Sequence, residues 1–581
     1  RELSCCKAMP GRAEDRVQRL ASHVTAAPVA ASEAGAHALA TLEELSKGPF
    51  KRRTGFGQQP RRTRGVKIAP GVNPLEFLDQ MEDATLSLDY DVAQHLPGPL
   101  KTGEKGKFEI VAEYLVANGR GSQHTYWKHV QKHHCGGDPS ANFVIPIISM
   151  APGQAPVITH QVILAHPEDC ERIAREHVKK QPNFSATLLG QGVISTTDND
   201  HWRQQRNSLV SAFHPMASLK QIFATSVATR AEKCVHKLKG QIQEDSVVDM
   251  SDFLLHEALA QLMLGMLGVP EEFMEHTNKR FRNALAGAPA DSKFVRGLLE
   301  TLIKLSGDPA HAAPEDAAEG RPLHGPLSRV IHTTTPDEDS LTKLGNAFIF
   351  AFAGHDTTGH TMTWLLYELA KNPEIQTRLQ QEVDEFFVFL NDRSMEYGDL
   401  SRLQFMTRCI METLRLWPAV ANGTFRQLEH DDWIHGQDGE KVRVPEGTFV
   451  QVTNWLRHRN PQLWGPDAEV FNPDREFTPD EIWNNKGFSA RNPATLRFSP
   501  FTYQPRDCIG KNFAQSEMRA ILSHLLHNFT FELEDPSRED RQAGVNFGTL
   551  GPRDFSRPAP AKPHLWNRPP VGLRMRVVPR R

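Results

Sequence analysis

The sequence predicts a mainly α-helical protein with small β-sheets, and three observations lead to that fold class. Helical patterns dominate from about residue 200 onward. The longest of them runs from about Leu341 to Asn372 and stops at Pro373. Strand patterns are grouped apart from the helices, at Val157–Ala165 and Gly572–Pro579. Helices that come in runs, with strands grouped elsewhere, favour a single mainly α domain.

The long helix sets the scale of that domain. Thirty-odd residues at a rise of 1.5 Å each span roughly 45 Å, which is enough to cross a whole domain. A shorter helix around Leu403–Trp417 also stops at a proline, Pro418. The apolar segment Phe253–Val269 is predicted to be a core helix and not a membrane span, because no stretch reaches 18 apolar residues. This segment carries three polar side chains: His256, Glu257 and Gln261.

Composition divides the chain into an N-terminal extension and a folded domain. Residues 1–100 are predicted to be poorly ordered or related to targeting, since the first 70 hold 13 Lys and Arg against 6 Asp and Glu. We expect the domain over 101–581, with loop insertions near 307–326 and 553–570, where proline and glycine accumulate. The chain begins at Arg1 and not at Met, so we expect its N-terminus to be incomplete.

Charge and cysteine usage exclude several classes of function. The net charge of −3 and the pI of about 6.9 offer no bulk basicity for binding nucleic acid. Seven scattered cysteines form neither an even set for a disulfide framework nor the paired spacing of a structural zinc site. A lone cysteine is usually a small buried hydrophobic residue, and only Cys508 has a sequence context that favours another interpretation.

Cys508 lies in a segment suited to metal ligation, Phe498–Ala514 (FSPFTYQPRDCIGKNFA). A single cysteine thiolate pushes electron density onto haem iron and favours cleavage of the O–O bond. Gly510 follows, and a helical pattern over Asn512–Leu526 begins at once, so helix N-terminal amides can stabilise the thiolate. Arg506 could reach a haem propionate through a charge-assisted hydrogen bond.

This loop resembles the haem-binding loop of the cytochrome P450 superfamily, whose pattern is Phe-x-x-Gly-x-Arg-x-Cys-x-Gly. Phe501, Arg506, Cys508 and Gly510 match in register. The resemblance is to the eukaryotic membrane-associated type. It implies that Cys508 is the axial ligand of the haem iron and that the other three residues contact the cofactor. Gln504 stands where the family has glycine, which permits a tight bend, so we expect the bend to be strained there.

A polar interruption lies in the middle of the long helix. Ala353–Thr358 (AGHDTT) is similar to the family's Ala-Gly-x-Asp/Glu-Thr-Thr signature. Glycine and paired threonines lower helix propensity, which a groove for dioxygen beside the haem would explain. Ala353 and Thr357 are four residues apart, on one face, where a small residue leaves room. The resemblance implies that Asp356 and Thr357 are catalytic and deliver protons, and that Ala353 and Gly354 line the cofactor.

A further motif implies a structural network. Glu412 and Arg415 stand three residues apart on one helix, a pair that is usually a surface salt bridge of little worth. In this position they resemble the family's Glu-x-x-Arg, whose partner is an arginine in a Pro-x-Arg segment downstream. Arg475, in Pro473–Arg475, fits that partner. The resemblance implies that the three residues lock the core beneath the haem loop.

Three more side chains are expected at the haem propionates. Trp202 and Arg206 fit the family's Trp-x-x-x-Arg, and both would donate hydrogen bonds to a propionate. Arg426 follows the Pro418 bend, and we expect a similar contact from it.

The resemblance as a whole implies a cytochrome P450 fold, with haem b between the long oxygen-activating helix and the cysteine-loop helix. The implied activity is a monooxygenase that inserts one oxygen atom from O2 into a lipophilic substrate by hydroxylation or epoxidation. Electrons would come ultimately from NADPH, through a diflavin reductase or a ferredoxin. We expect membrane-surface association at the endoplasmic reticulum, with a plastid or mitochondrion as the alternative. Candidates for the substrate pocket are apolar or small: Phe350, Thr361, Val420, Ala421 and Leu550.

Two other functions remain open at the level of sequence. A haem-thiolate isomerase or lyase would rearrange hydroperoxides without a reductase, but such proteins tend to lack the acid–alcohol pair seen at Asp356 and Thr357. A non-catalytic haem-binding protein is favoured only by Gln504. Consumption of NADPH with added reductase separates the monooxygenase from both alternatives.

Overall fold

The computed structural model describes most of the chain after residue 122. The described residues are 85–86, 92, 95–100, 123–149, 157–182, 191–213, 216–244, 246–269, single positions between 271 and 327, 340–483, 493–534, 543–546, 549–552 and 572–580. The predicted insertions near 307–326 and 553–570, and most of the predicted extension over 1–100, lie outside them.

Helices make up most of the described structure. In chain order they are α1 (Gln123–His134), α2 (Pro167–Glu176), α3 (Asn199–Phe213), α4 (Met216–Ile222), α5 (Ala228–Glu244), α6 (Met250–Gln261), α7 (Ser340–Lys371), α8 (Pro373–Leu390), α9 (Gln404–Leu416), α10 (Asn454–His458), α11 (Pro461–Trp464) and α12 (Lys511–Asn528). Two π-helical turns continue α4 and α6, at Phe223–Val227 and Leu262–Leu267. The predicted mainly α architecture is confirmed.

The strands are short and form small sheets. They are β1 (Thr85–Leu86), β2 (Phe143–Ser149), β3 (Val157–Leu164), β4 (Val247–Asp249), β5 (Thr424–Gln427), β6 (Asp432–His435), β7 (Lys441–Val444), β8 (Phe449–Val452), β9 (Phe529–Leu533), β10 (Ala543–Asn546), β11 (Thr549–Pro552) and β12 (Arg574–Pro579).

The chain forms two compact units. Residues 1–169, 428–451 and 558–569 belong to the first unit, and residues 170–427, 452–557 and 570–581 belong to the second. The domain boundaries predicted from sequence stay a prediction.

A sheet around β3 organises the first unit. β2 pairs with β3 in antiparallel register, from Phe143 opposite Ile163 to Ser149 opposite Val157. β1 pairs with the start of β3 in parallel, and Leu96 is buried a few residues later. The described residues before 101 therefore contribute backbone hydrogen bonds to this sheet. β6 and β7 form a separate hairpin in this unit.

The second unit contains the large hydrophobic core, and α7 runs through it. α7 contacts α6, α9, α12 and β11. Two glycines allow the close approach of α6 and its π-helical turn. A Cβ at Gly359 would lie 2.9 Å from the Cα of Leu255, and one at Gly354 would lie 2.7 Å from Cδ1 of Leu262. At the edge of this unit, β12 pairs in antiparallel register with both β4 and β9.

Candidate functional site

Cys508 lies in the loop that leads into α12, and its thiol has an unusual environment. Burial raises the pKa of this thiol, while the backbone N–H of Gly510 acts in the opposite direction. Cys508 is nevertheless solvent-accessible. Both observations fit a thiol that has protein around it and is still open to a ligand. Coordination to a metal ion deprotonates such a thiol outright, so a raised pKa does not prevent ligation.

Asp507, the residue before Cys508, joins α3 to α12. Arg206 pairs with the Asp507 carboxylate and also donates to the Asp507 carbonyl oxygen at 2.8 Å. Lys511 donates to the other carboxylate oxygen at 2.7 Å. In the structure the Arg206 guanidinium pairs with Asp507. The predicted contact of Arg206 with a haem propionate stays a prediction.

Three other cations gather nearby in the same unit. Burial, together with repulsion from Arg426 and Arg506, holds the pKa of Lys180 well below its usual value. The guanidinium of Arg506 lies over the ring of Trp202, 4.3 Å from the ring centroid. Arg426 is fully buried and donates through Nη1 to Thr424. The predicted residues Trp202, Arg506 and Arg426 are therefore brought together, and Lys180 joins them.

This cationic cluster fits a cofactor that carries two carboxylates. Arg426 and Arg506 each lie close enough to Lys180 to repel its charge. Repelling cations that are held together in a buried place need negative charge between them. The two propionates of a haem would supply that charge.

One stripe of α7 is accessible although most of the helix is buried. Phe350, Ala353, Gly354 and Thr357 are partly exposed, whereas Asp356 behind them is 3% exposed. These positions repeat at helical spacing, so they form one face. The Thr357 hydroxyl donates to the Ala353 carbonyl oxygen at 2.8 Å. The predicted groove residues therefore lie together on the accessible side of the helix.

Phe213 joins that stripe to the cysteine loop. Its ring stacks on Phe350, with centroids 5.5 Å apart. Its Cε1 would lie 3.9 Å from a Cβ built on Gly510. One side chain of α3 thus stacks on the helix expected to handle oxygen and lies beside the loop that carries Cys508. Phe213 could not be singled out from the sequence, since an aromatic residue at the end of a helix is ordinarily part of the core.

Two buried histidines flank Asp356 on α7. Burial lowers the pKa of His355 to about 4 and that of His360 to about 3. The Nε2 of His360 lies 3.8 Å from the Asp356 carboxylate. Both imidazoles are therefore neutral at pH 7.

The predicted structural network is present in full. Arg415 donates through Nε and Nη2 to the two oxygens of Glu412, each at 2.7 Å. Arg475 donates to the same carboxylate at 3.2 Å and pairs with Asp467. Arg415 also donates to the carbonyl oxygen of Ala468 at 2.6 Å. Glu412 and Arg415 are fully buried, so this is no surface pair.

The predicted pocket residues are less clearly grouped. Phe350 belongs to the accessible stripe, and the Thr361 hydroxyl donates to the Thr357 carbonyl oxygen on the same helix. Leu550 lies in β11, which contacts α7, but its side chain is outside the described residues. Val420 is 37% exposed and Ala421 is buried, in a turn after α9. Phe501, which was predicted to contact the cofactor and not the substrate, is half-buried and packs on Trp483.

Some contributors were missed by the sequence analysis. Lys180 stands in a loop with no motif around it. Asp507 and Lys511 are four residues apart, a spacing that indicates an ion pair on a helical turn and could have been noticed. Within the described residues, no helix combines the length and the apolar character that crossing a bilayer requires.

Comparison with known proteins agrees with this site. A family model described as Cytochrome P450 matches residues 145–298 and 335–553. Cytochrome P450 4F3 of Rattus norvegicus is 38% identical over 435 residues, which are 68% of this chain and 75% of that protein. Cytochrome P450 4F4 of the same organism is 36% identical over 440 residues, with the same shares.

A solved structure of a cytochrome P450, CYP102L1, is similar in fold. It superposes with a TM-score of 0.59 over 80% of this chain and 96% of that one, at 21% identity. The fold expected from the resemblance is therefore confirmed. With a family model that matches most of its length, this chain belongs to the cytochrome P450 family, the haem-thiolate monooxygenases.

Proposed function

We propose that this P450 inserts one oxygen atom of O2 into a lipophilic organic substrate by hydroxylation or epoxidation. Electrons would come from a partner protein and ultimately from NADPH. The observation that carries the proposal is the accessible stripe on α7, which ends at Thr357 and has the buried Asp356 carboxylate directly behind it. Small apolar positions beside a hydroxyl and an acid suit the reductive cleavage of dioxygen next to an apolar substrate.

The haem would be held from two sides by side chains of this chain. When bound, the haem would supply the iron and the electron chemistry, and the Cys508 thiolate would hold the iron and donate electron density to it. Arg426, Arg506 and Lys180 would neutralise the propionates, and Trp202 would support Arg506. We assign Arg206 to a different task, the positioning of Asp507 and so of the loop beside the ligand.

Thr357 and Asp356 would manage protons in the groove. The Thr357 Oγ1–H donates to the Ala353 carbonyl, and a rotation about Cα–Cβ would turn that hydrogen toward an acceptor in the groove. Asp356 would resupply the proton, since a carboxylic group adjacent in the helix can act as a proton donor. His355 and His360 do not compete for this role near pH 7, because burial keeps them neutral.

Glu412, Arg415 and Arg475 would have a structural role. Their network ties α9 to the segment that follows α11, through carbonyl oxygens as well as carboxylates. A buried network that is fully hydrogen-bonded specifies one arrangement of the chain.

The experiment is a reconstitution with isotopically labelled oxygen. Purified holoenzyme, a diflavin reductase and NADPH are incubated with candidate fatty acids, sterols and terpenoids that first shift the haem spin state. Incorporation of one labelled atom from O2 into product supports the proposal. Turnover of a lipid hydroperoxide without reductase or NADPH would instead identify the isomerase or lyase.

The electron donor and the location are proposed from the resemblance alone. A diflavin reductase would match a place at the endoplasmic reticulum membrane, and a ferredoxin would match a plastid or mitochondrion. Comparing turnover with the two donors separates these cases.

A further inference from the structure

A second cluster of metal-ligating side chains lies in the first unit, apart from the residues assigned to haem. His166 precedes α2, Glu168 stands in its first turn, and His435 ends β6. One ligand atom from each of the three lies within 4.8 Å of the others. We propose that His166, Glu168 and His435 bind a divalent transition-metal ion of the Zn²⁺ class. Two imidazoles and a carboxylate form a ligand set that zinc accepts readily, with a fourth position left for water.

His435 is oriented as metal-binding histidines are. Its Nδ1 lies 3.0 Å from the carboxylate of Asp169, a side chain that is 1% exposed. An imidazole whose Nδ1–H is donated to a carboxylate keeps a lone pair on Nε2, and such a pairing raises the basicity of the ligand. That Nε2 lies 3.9 Å from the Glu168 carboxylate. Asp169 is thus a positioning residue that directs His435 toward Glu168.

Asn142 holds the backbone of both histidines. Its Nδ2 donates to Asp169 at 2.7 Å and to the His435 carbonyl oxygen at 3.0 Å. Its Oδ1 accepts from the backbone N–H groups of Ala165 and His166, both at 3.0 Å. Asn142 is 2% exposed. The two histidines are therefore fixed on one rigid frame, which lowers the entropy lost when they bind an ion.

The ring of His166 has a nitrogen atom, Nδ1, that could bind a metal ion. Its Nδ1 is buried and forms no hydrogen bond among the described residues, and the Asp169 carboxylate at 3.9 Å is too distant. Its ring stacks on His435, with centroids 3.7 Å apart and planes inclined by 19°. Tetrahedral zinc ligands at about 2.0–2.1 Å from the ion lie about 3.3 Å from one another. The ligand atoms now lie within 4.8 Å of one another. Side-chain rotations, together with movement of the exposed Glu168, would bring them to the shorter spacing that zinc requires.

Lys441 competes with an incoming ion. Its Nζ lies 2.9 Å from Nε2 of His435, where it acts as a cation beside the imidazole lone pair. A metal ion must displace this ammonium group, which lowers the affinity. Removal of the lysine charge is therefore expected to tighten binding, an effect opposite to that of removing a ligand.

Isothermal titration of Zn²⁺ into the full-length, haem-loaded protein tests the proposal. We expect one site that His435→Ala and His166→Ala each weaken at least tenfold, and that Lys441→Gln strengthens several-fold. Each variant must keep the wild-type haem spectrum. The matched control is His133→Ala, which breaks another close histidine pair of this unit, His129 and His133 on α1, with centroids 4.5 Å apart.

X-ray absorption at the zinc edge gives a second readout that haem iron does not disturb. The expected signature is two imidazoles and oxygen ligands at about 2.0–2.1 Å. Loss of binding in His133→Ala, or unchanged affinity in His435→Ala and His166→Ala, would overturn the proposal. So would the absence of any Zn²⁺ binding to the wild-type holoenzyme.

Discussion

Arg206 of α3 forms an ion pair with Asp507, 301 residues later in the chain and immediately before Cys508. The same guanidinium donates to the Asp507 carbonyl oxygen at 2.8 Å. Arg206 therefore binds both the side chain and the backbone of the residue next to the expected iron ligand.

Arg206→Ala is expected to lower the free energy of unfolding by about 3 kcal/mol, because Asp507 would keep a buried carboxylate with one partner fewer. Arg203→Ala is the matched control on the same helix, since Arg203 pairs with the exposed Asp200. An exposed pair of that kind contributes about 0–1 kcal/mol. Denaturant unfolding followed by haem absorbance and circular dichroism measures both. Equal losses of unfolding free energy in the two variants would show that the Arg206 pair stabilises the protein no more than an exposed pair does.

Cys508→Ser is expected to abolish the thiolate signature in the spectrum of the ferrous carbonyl complex, because a serine oxygen donates less electron density to iron. Cys234→Ser provides the control. The Cys234 thiol donates to the Ala231 carbonyl oxygen, and a hydroxyl can make the same bond. The assignment of Cys508 fails if its variant keeps the thiolate spectrum and full activity.

Thr357→Ala is expected to leave haem binding intact and to uncouple turnover, so that reductase electrons emerge as hydrogen peroxide. Proton delivery in the groove would be impaired. Thr363→Ala is the matched control, because Thr363 makes the same kind of bond to the carbonyl oxygen four residues earlier and is fully buried. The measurement is the ratio of product formed to NADPH consumed, which should fall in Thr357→Ala and not in Thr363→Ala. Similar coupling in both variants would exclude Thr357 from the mechanism.

The buried His360 predicts a loss of stability in acid. Burial lowers its pKa to about 3 in the folded state, whereas an unfolded histidine has a pKa of about 6.5. Between these values the unfolded chain takes up a proton that the folded chain does not. The free energy of unfolding therefore falls with falling pH, by about 1.4 kcal/mol per pH unit for this group. His360→Leu should reduce that slope by one proton between pH 6 and 4. Identical slopes in urea titrations of both proteins would contradict this.

The cysteine loop offers a pair of glycine substitutions with opposite expected signs. Among the described residues of this loop, Thr502 has a positive φ of 60°, and Gln504 does not. The expectation of a strained bend at Gln504 is therefore wrong. The residue with left-handed backbone is Thr502, two positions earlier. Gln504→Gly should destabilise the protein by about 0.4–1 kcal/mol through unfolded-state entropy. Thr502→Gly should be neutral or stabilising, because a β-branched residue is strained there. Thermal unfolding of the two variants shows whether their stabilities change in opposite directions relative to the wild-type protein.

The parts of the fold that the sequence predicted well are those with local signals. The long helix was expected from Leu341 to Asn372 and runs over Ser340–Lys371, because Pro373 ends the pattern and starts α8. β2 was not predicted, since Pro146 lies in its middle and a proline argues against a strand. The π-helical turn Leu262–Leu267 was likewise absorbed into an ordinary helix, for which hydrophobic periodicity gives no distinction.

In the candidate site, too, the features with local sequence signals were predicted and the long-range contacts were not. Motifs placed Cys508, Asp356 and Thr357 on the correct elements, since their spacing is local. The ion pair between Arg206 and Asp507 could not be predicted, because the two residues are 301 positions apart and only the fold brings them together.

The two-residue strand β1 limits how far the chain can be shortened for laboratory production. Thr85 and Leu86 pair with Val157 and Ile158, and the backbone N–H of Val144 donates to the Pro97 carbonyl oxygen at 2.9 Å. Cutting at the sequence-derived boundary of 101 would strip these partners and leave an unprotected strand edge, which invites self-association. A truncated version intended for crystals should therefore retain the chain from before Thr85.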